Sequence, residues 1–388
     1  MENFTYCNPT ELVFGRGTQQ TIGPRIAQLP QTPSKVMIIY GGGSAVRSGL
    51  LDQIVLSCEA AGLKCILKGG VKPNPQVDFV RECIDIAREQ TVDVLLAVGG
   101  GSVIDTTKAC AMGVKYDGDV WDFFCGKAQP QTALPVCTVL TIPAAGSEQS
   151  TRVVISNGNV KAGTGHACIR PRVSILNPEL FFTLPESQIA AGVFDMMSHI
   201  MERYFTNTTA VDYTSAQAEA ALRVIMANGL KVMADHEDYD AWSQIGLAGS
   251  FAHNGYFGLG HVEDWACHGI EHALSGWDEN IVHGAGLAVV TPAWMTYVWP
   301  HNPARFIQFA REVMGVNASA DEETVIKLGI AKLCAFIQQM HLPTRLSELT
   351  DRELPIEDIA KKAAGVALLG HFKSLDVADV EAILKLAA

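Results

Sequence analysis

The residues best equipped for chemistry in this 388-residue chain are one aspartate and four histidines. Asp195 and His199 stand four apart in Phe194-Asp195-Met196-Met197-Ser198-His199, which puts both on one helix face. Their flanks are apolar, so an unpaired carboxylate there would be costly. His268 and His272 repeat the spacing in Cys267-His268-Gly269-Ile270-Glu271-His272. His283 follows in what reads as a loop, Ile281-Val282-His283-Gly284-Ala285-Gly286. One carboxylate and three neutral imidazoles suit Fe²⁺ or Zn²⁺ and match the oxygen-rich shells of Mg²⁺ and Ca²⁺ poorly. Spacing alone does not say which histidine stays outside such a set. The blander alternative is that these are ordinary polar faces of helices, where i,i+4 pairs are common.

A second kind of chemistry is suggested by Gly41-Gly42-Gly43-Ser44 after Tyr40 and Gly99-Gly100-Gly101-Ser102 after Val98. Both clusters follow strand-like runs and open helical ones, the place where backbone N–H groups meet phosphates. Glycine there permits positive φ and close approach of the backbone to a pyrophosphate. Neither cluster fits G-x-G-x-x-G, because Val46 and Ile104 occupy the last position. After the first cluster there is Arg47 and no carboxylate, an arrangement that favours a 2′-phosphorylated ribose. NADP(H) is therefore expected in preference to NAD(H).

These residues need elements to hold them, and the two halves of the chain differ in texture. Apolar β-type runs at 36–40, 64–68, 93–98, 135–142 and 173–176 alternate with helical patterns at 50–61 and 79–89 and after residue 102. Such alternation implies a parallel sheet covered on both faces. Twelve of the 17 prolines fall in residues 1–185, and none lies between Glu186 and Thr291, as a helical bundle requires. Helices are expected at 186–205, 216–233, 239–254, 262–274, 303–314, 321–340, 355–364 and 377–386. The reading is an α/β, Rossmann-like dinucleotide-binding domain over 1–185 and an all-α, metal-binding and catalytic domain over 186–388, with chemistry in the cleft between them.

Composition closes off other classes. With 41 acidic and 29 basic residues the net charge is −12, contrary to what a nucleic-acid-coating protein needs. No apolar run approaches the 18 residues that span a bilayer. Met1-Glu2-Asn3-Phe4 has no basic n-region or apolar h-region, so a cytoplasmic location is expected. The ten cysteines contain no C-x-x-C pair and read as small apolar residues.

With these motifs assembled, the chain resembles the iron-containing (group III) alcohol dehydrogenases, most closely their butanol dehydrogenase and broad aldehyde reductase branch. The likeness runs from Glu11-Leu12-Val13-Phe14-Gly15-Arg16-Gly17 to beyond residue 300. Its most specific pieces are residues 99–108, the Asp195/His199 helix and the 268–290 segment, and Lys72-Pro73-Asn74-Pro75 also looks like the family's loop near the cofactor. The resemblance implies the dehydroquinate synthase-like architecture of that family. It implies metal binding by Asp195, His199, His268 and His283, with His272 left beside the substrate as a proton relay and His268 and His272 as the catalytic histidines. It also implies cofactor contacts at Gly42, Gly43, Ser44, Asn74, Gly100, Gly101, Ser102, Asp105, Thr141 and Lys161. Ala145 departs from the family, which usually has threonine there. The implied reaction is reversible hydride transfer between NADP(H) and a small primary alcohol or aldehyde such as butanol and butanal, by a homodimer or higher oligomer. A polyol dehydrogenase or dehydroquinate synthase-like lyase on the same scaffold is the alternative. It would call for a basic substrate pocket, and Arg203 is the only cation between Glu186 and Leu222.

Overall fold

The computed structural model describes residues Met1–Ala388. By its internal contacts the chain divides into Cys7–Thr183 and a second unit made of Met1–Tyr6 with Leu184–Ala388. The expected division at 186 assigned the first six residues to the α/β domain. They belong instead with the helices: the Met1 amine donates to the Thr209 carbonyl at 2.6 Å, Glu2 N–H to the Gly260 carbonyl, and Tyr6 meets Tyr256 edge-on.

The Cys7–Thr183 unit runs β1 (Glu11–Phe14), α1 (Ile22–Ala27), β2 (Lys35–Tyr40), α2 (Ser44–Arg47), α3 (Leu50–Ala60), β3 (Lys64–Lys68), α4 (Val77–Glu89), β4 (Val94–Gly99) and α5 (Gly101–Val114). β5 (Val136–Leu140), the pair β6 (Arg152–Asn157) and β7 (Val160–Gly165), and β8 (Val173–Leu176) follow. Six strands form one parallel sheet in the order β1-β8-β5-β4-β2-β3. Every residue of β4 and β5 is buried, which is why those strands read as continuous apolar runs rather than alternating ones. Val36, Ile38, Leu96, Val98, Val139 and Ile175 pack against Ile54 and Cys58 of α3 and Ile22 and Ile26 of α1. Three strands lie outside the sequence reading, the edge strand β1 and the antiparallel hairpin β6–β7, closed by Gly158 at φ 59° and Asn159, and so do the short helices α1 and α2.

Chain order sets the ligand position. From β2 the chain moves outward to the edge strand β3, then returns to lay β4 on the other side of β2. This reversal makes a crevice outside the carboxyl ends of β2 and β4. Both glycine loops lie there, since Tyr40 pairs with Val98 across the two strand ends.

The helical unit comprises α6 (Glu186–Tyr204), α7 (Asp212–Ala234), α8 (Tyr239–Ala252), α9 (Ala266–Trp277), α10 (His283–Val298), α11 (Pro303–Glu312), α12 (Glu322–Gln339), α13 (Ile356–Ala364) and α14 (Val377–Leu386). Ile189 through Tyr204 are all buried, so α6 is the central helix and each of its polar side chains needs a partner. Phe205, at its end, stacks on Phe306 at 4.7 Å and meets Trp294 at 5.5 Å between ring centroids. Each such buried aromatic contributes on the order of 2–3 kcal/mol. No helix is long and apolar enough to cross a membrane.

Two expectations are corrected here. The helix expected over 262–274 begins at Ala266, because Trp265 adopts φ 69° and stops the helix from extending backward. His283 is the first residue of α10, not part of a loop. Gly284, Gly286 and Pro292 look like helix breakers in the sequence, yet the two glycines serve packing. A Cβ on Gly284 would sit 2.0 Å from the Ala191 carbonyl oxygen of α6, and one on Gly286 would sit 2.9 Å from Glu271 Cγ of α9. Missing side chains therefore bring α10 close to both helices that carry the other site residues.

Candidate metal centre and cofactor loops

Asp195 and His199 project from α6, His268 and His272 from α9, and His283 from the start of α10. Two tight groups result, Asp195/His199/His268 and Glu271/His272/His283. They are joined through Asp195 Oδ1, which lies 3.9 Å from His268 Nε2 and 3.7 Å from His283 Nε2. The His199 ring stands 4.6 Å from that of His268, and the His268 ring 5.4 Å from that of His283.

The protons on these rings are fixed by what lies behind them. His199 Nδ1 is 2.9 Å from the Asp195 carbonyl oxygen, which can only accept. His268 Nδ1 is 3.0 Å from Glu202 Oε1, and His283 Nδ1 bonds Glu271 Oε2. Each ring thus carries its hydrogen on Nδ1 and keeps a lone pair on Nε2. His268 Nε2 is buried and has no hydrogen-bond partner within the protein. Burial, reinforced by His253, His268, Arg203 and His283, pushes the His199 pKa well below its ordinary value and keeps that ring neutral. Three imidazole lone pairs and a carboxylate converging from three helices fit a single divalent metal of the Fe²⁺ or Zn²⁺ kind. The two spacings from Asp195 Oδ1 are a little wider than the ~3.3 Å ligand-to-ligand edge that metal–ligand bonds of ~2.0 Å would give.

Glu202 and Glu271 are the functional residues that sequence reasoning missed. Glu202 Oε1 also accepts the His268 backbone N–H at 2.8 Å, so one oxygen holds that histidine by both its backbone and its ring. The Glu271 side chain is fully buried behind His283. Carboxylates in this position fix the tautomer and orientation of a metal-binding imidazole. Each lies three residues beyond a histidine already singled out, on a face too apolar to tolerate an idle acid. The Asp195 carboxylate has nitrogens of His199, His268 and His283 within 4 Å, whereas His272 groups with Glu271 and His283, its ring 5.5 Å from that of His283 and 6.3 Å from that of His268.

Arg203 is enclosed. Its guanidinium donates to the His199 carbonyl at 2.6 Å, pairs with Glu263 and lies over the Trp265 ring at 4.5 Å. It therefore braces the site from within and is not free to hold a substrate phosphate.

In the α/β unit, an open cavity of about 480 Å³ is lined by Tyr40, Gly41–Gly43, Val46, Arg47, Gly69 and Gly70. Arg47 is its only charged residue, and Gly43, at φ 131°, has the Arg47 guanidinium against it. Ser44 begins α2 beside them. Gly100 and Gly101 open the 14-residue helix α5, whose first turn has no side-chain cap and offers its N–H groups to an anion. Packing also demands these glycines: a Cβ on Gly100 would lie 2.9 Å from Ile142, and one on Gly101 would lie 3.2 Å from Ala145. Ser102 is half-buried in that first turn, and Thr141 N–H donates to the Gly99 carbonyl, tying the ends of β5 and β4 together. Asn74 takes φ 51° in the loop before α4. Asp105 has both oxygens engaged inside the unit, by the Ser147 hydroxyl at 2.6 Å and the Val154 N–H at 2.9 Å. Lys161, on β7, is close enough to Asp105 to act on its charge, and burial nonetheless pushes the Asp105 carboxyl up.

A family model for the iron-containing alcohol dehydrogenase matches residues 9–178, and the C-terminal model of the Fe-containing alcohol dehydrogenase family matches 189–388. The chain is 42% identical over 389 residues to a probable NADH-dependent butanol dehydrogenase of Bacillus subtilis, covering 99% of each. It is 33% identical to an NADPH-dependent aldehyde reductase of Escherichia coli, covering 97% of this chain and 98% of that one. The crystal structure of an NADH-dependent butanol dehydrogenase from Thermotoga maritima superposes with a TM-score of 0.95 at 39% identity, over 100% of this chain and 99% of the other. The two family models together span nearly the whole chain, and this chain belongs to the iron-containing alcohol dehydrogenases.

Proposed function

We propose that this NAD(P)-dependent oxidoreductase interconverts small aldehydes and primary alcohols with NADP(H), using a divalent metal held by Asp195, His199, His268 and His283. The observation that carries the reading is the matched set of Nδ1 anchors, which leaves Nε2 of all three rings without a hydrogen, those of His268 and His283 lying 3.9 and 3.7 Å from the Asp195 carboxylate. When bound, the metal supplies Lewis-acid polarisation of a carbonyl and the nicotinamide supplies hydride. The chain's own residues do the rest. Glu202 and Glu271 hold their imidazoles in register, so ligand geometry is set in advance. His272, next to the set but not in it, moves the proton that alcohol formation requires. The Gly41–Ser44 and Gly100–Ser102 loops hold the cofactor phosphates on backbone N–H groups, with Asn74, Thr141 and Lys161 around them. Asp105 acts there as a brace for the Ser147 and Val154 segment.

NADP(H) is favoured because the cavity beside Gly43 has one cation, Arg47, and no carboxylate to repel a 2′-phosphate. Four relatives at 35–42% identity are named NADH-dependent and one at 33% NADPH-dependent, so those names lean toward NADH and the NADP(H) preference rests on the loop alone. A lyase or a dehydrogenase of phosphorylated polyols is disfavoured because Arg203 is committed to internal bonds. The test is oxidation of NADPH and of NADH by butanal, with metal analysis of the purified protein, for wild type and Arg47→Ala. The expected result is faster turnover with NADPH and a KM for NADPH raised roughly tenfold in the variant, NADH being unaffected, as loss of one charge-assisted phosphate contact predicts. No oxidation after loading with either Fe²⁺ or Zn²⁺ would end the reading.

A further inference from the structure

Behind the metal centre, α6, α9 and α10 enclose a second, much smaller space. It is a cavity of about 10 Å³, walled by Ser198, Glu202, Cys267, Thr291 and Trp294 together with Met201 and Phe205. Three of its polar atoms, Ser198 Oγ, Thr291 Oγ1 and Trp294 Nε1, are buried with no hydrogen-bond partner. Their residues are 1%, 3% and 2% exposed. Only the Cys267 thiol lies beside the Thr291 hydroxyl, and a thiol is a weak partner. Three orphaned groups in one pocket would be an unusual cost, on top of which each ordinarily finds a partner in a folded protein.

The volume is about what one water needs, and an internal water ordinarily makes two to four bonds to groups otherwise left alone. We propose that this cavity is a built site for a single structural water that joins Ser198, Thr291 and Trp294 to the carboxylate of Glu202, making those three residues positioning residues for His268. The bonds balance. The indole can only donate, so the water accepts from Trp294 Nε1–H. It accepts a second bond from one hydroxyl and donates to the other hydroxyl and to Glu202. Glu202 Oε1 is already occupied by the backbone N–H and the Nδ1–H of His268, which leaves Oε2 for the water. The carboxylate is then held on both sides, by the histidine it orients and by α10 through the water. A carboxylate held on one side only could rotate and let the ring turn with it, and such outer partners are worth roughly 10–100-fold in metal affinity.

This inference rests on the metal-centre reading only for its consequence, not for the water. The test therefore has two readouts on the full chain. A crystal structure fine enough to show ordered water should reveal density within hydrogen-bond distance of Ser198 Oγ, Thr291 Oγ1 and Trp294 Nε1. Thr291→Val keeps the shape and removes one partner, and Ser198→Ala removes another. With the water in place, each variant unfolds at a lower temperature and binds Zn²⁺ several-fold more weakly in chelator competition. In a dry cavity Thr291→Val removes an unsatisfied hydroxyl, so its unfolding temperature rises or stays level; that result, or absence of density, overturns the water site. Density with unchanged Zn²⁺ affinity in both variants overturns the positioning role. A wild type that binds no Zn²⁺ overturns the metal-centre reading, while the density and the sign of the Thr291→Val shift still decide the water.

Discussion

Replacing Glu271 by glutamine should loosen the metal while leaving the apoprotein at least as stable. The side chain is fully buried, and its Oε2 accepts the Nδ1–H of His283. Glutamine has nearly the same shape and can still accept that bond through its amide oxygen, so packing against Gly286 is kept. What is lost is the charge. A bond to an ionised acceptor contributes about 1.5–3 kcal/mol, against about 0.5–1.5 for a neutral one. The difference, about 1.4 kcal/mol, is a tenfold rise in the metal dissociation constant. Without metal the sign changes, because a buried carboxylate costs solvation that an amide does not. The assay is Zn²⁺ competition against a chelator of known affinity, beside thermal unfolding of the metal-free protein. Glu271→Gln binding Zn²⁺ within twofold of wild type would refute the claim that Glu271 sets the His283 ring.

Other outcomes follow from the same geometry. His272→Ala should slow turnover about 100-fold or more with metal content intact, and loss of metal in that variant would place His272 among the ligands. Gly284→Ala forces a Cβ to within 2.0 Å of the Ala191 carbonyl, so α10 must shift; we expect at least about 2 kcal/mol of lost stability in thermal unfolding, together with weaker metal binding. Lys108, fully buried in α5, donates to the Ser147, Ser150 and Arg152 carbonyls and the Ser147 hydroxyl. Lys108→Met takes a donor from each of these oxygens, of which the Ser147 carbonyl keeps the Ser150 N–H, and should cost about 3 kcal/mol in denaturant titration. Burial lowers the Lys108 pKa to about 8 from 10.5, opposed by Asp105 and Glu148. The folded value lies below the unfolded one, so this group's contribution improves as pH rises from about 8 to 10.5 and is withheld below 8. The wild-type minus Lys108→Met difference in stability, measured across that window, should rise with pH; a flat difference would sink the assignment.

Much of this was legible in the residues themselves. The strands at 36–40, 93–98 and 173–176 are fully or mostly buried parallel strands, and such strands announce themselves as apolar runs; 64–68 is an edge strand with no fully buried residue, legible from its Cys65-Ile66-Leu67 centre. Asp195 and His199 were visible because an acid and a histidine one turn apart on an apolar helix need a reason. The start of α10 was not legible, because glycines that let helices touch look the same in sequence as glycines that end them. β1 is a four-residue edge strand, too short to show a period. The β6–β7 hairpin had a usable signal in Asn157-Gly158-Asn159, a tight-turn combination set between β-type residues. Glu202 and Glu271 were hidden for another reason: their role depends on histidines of other helices, and a single periodic pattern does not report on contacts between helices. Asp105 was implied as a cofactor contact by the family resemblance alone, and its two oxygens bond Ser147 and Val154, contacts that no local pattern in the sequence reports.

The anchoring of three imidazoles by acceptors that belong to the protein has a consequence for supply. Such a centre is assembled by folding, in contrast to small zinc modules whose chains stay unfolded until the ion arrives. Its nitrogen and carboxylate donors are acceptable to several first-row ions, and affinity alone ranks zinc above ferrous iron. Newly made protein can therefore wait, folded and empty, for whichever ion the surrounding pool delivers. If Asp195, His199, His268 and His283 are the ligands, separate loading of the metal-free protein with Fe²⁺ and with Zn²⁺ should fill the same site with either ion.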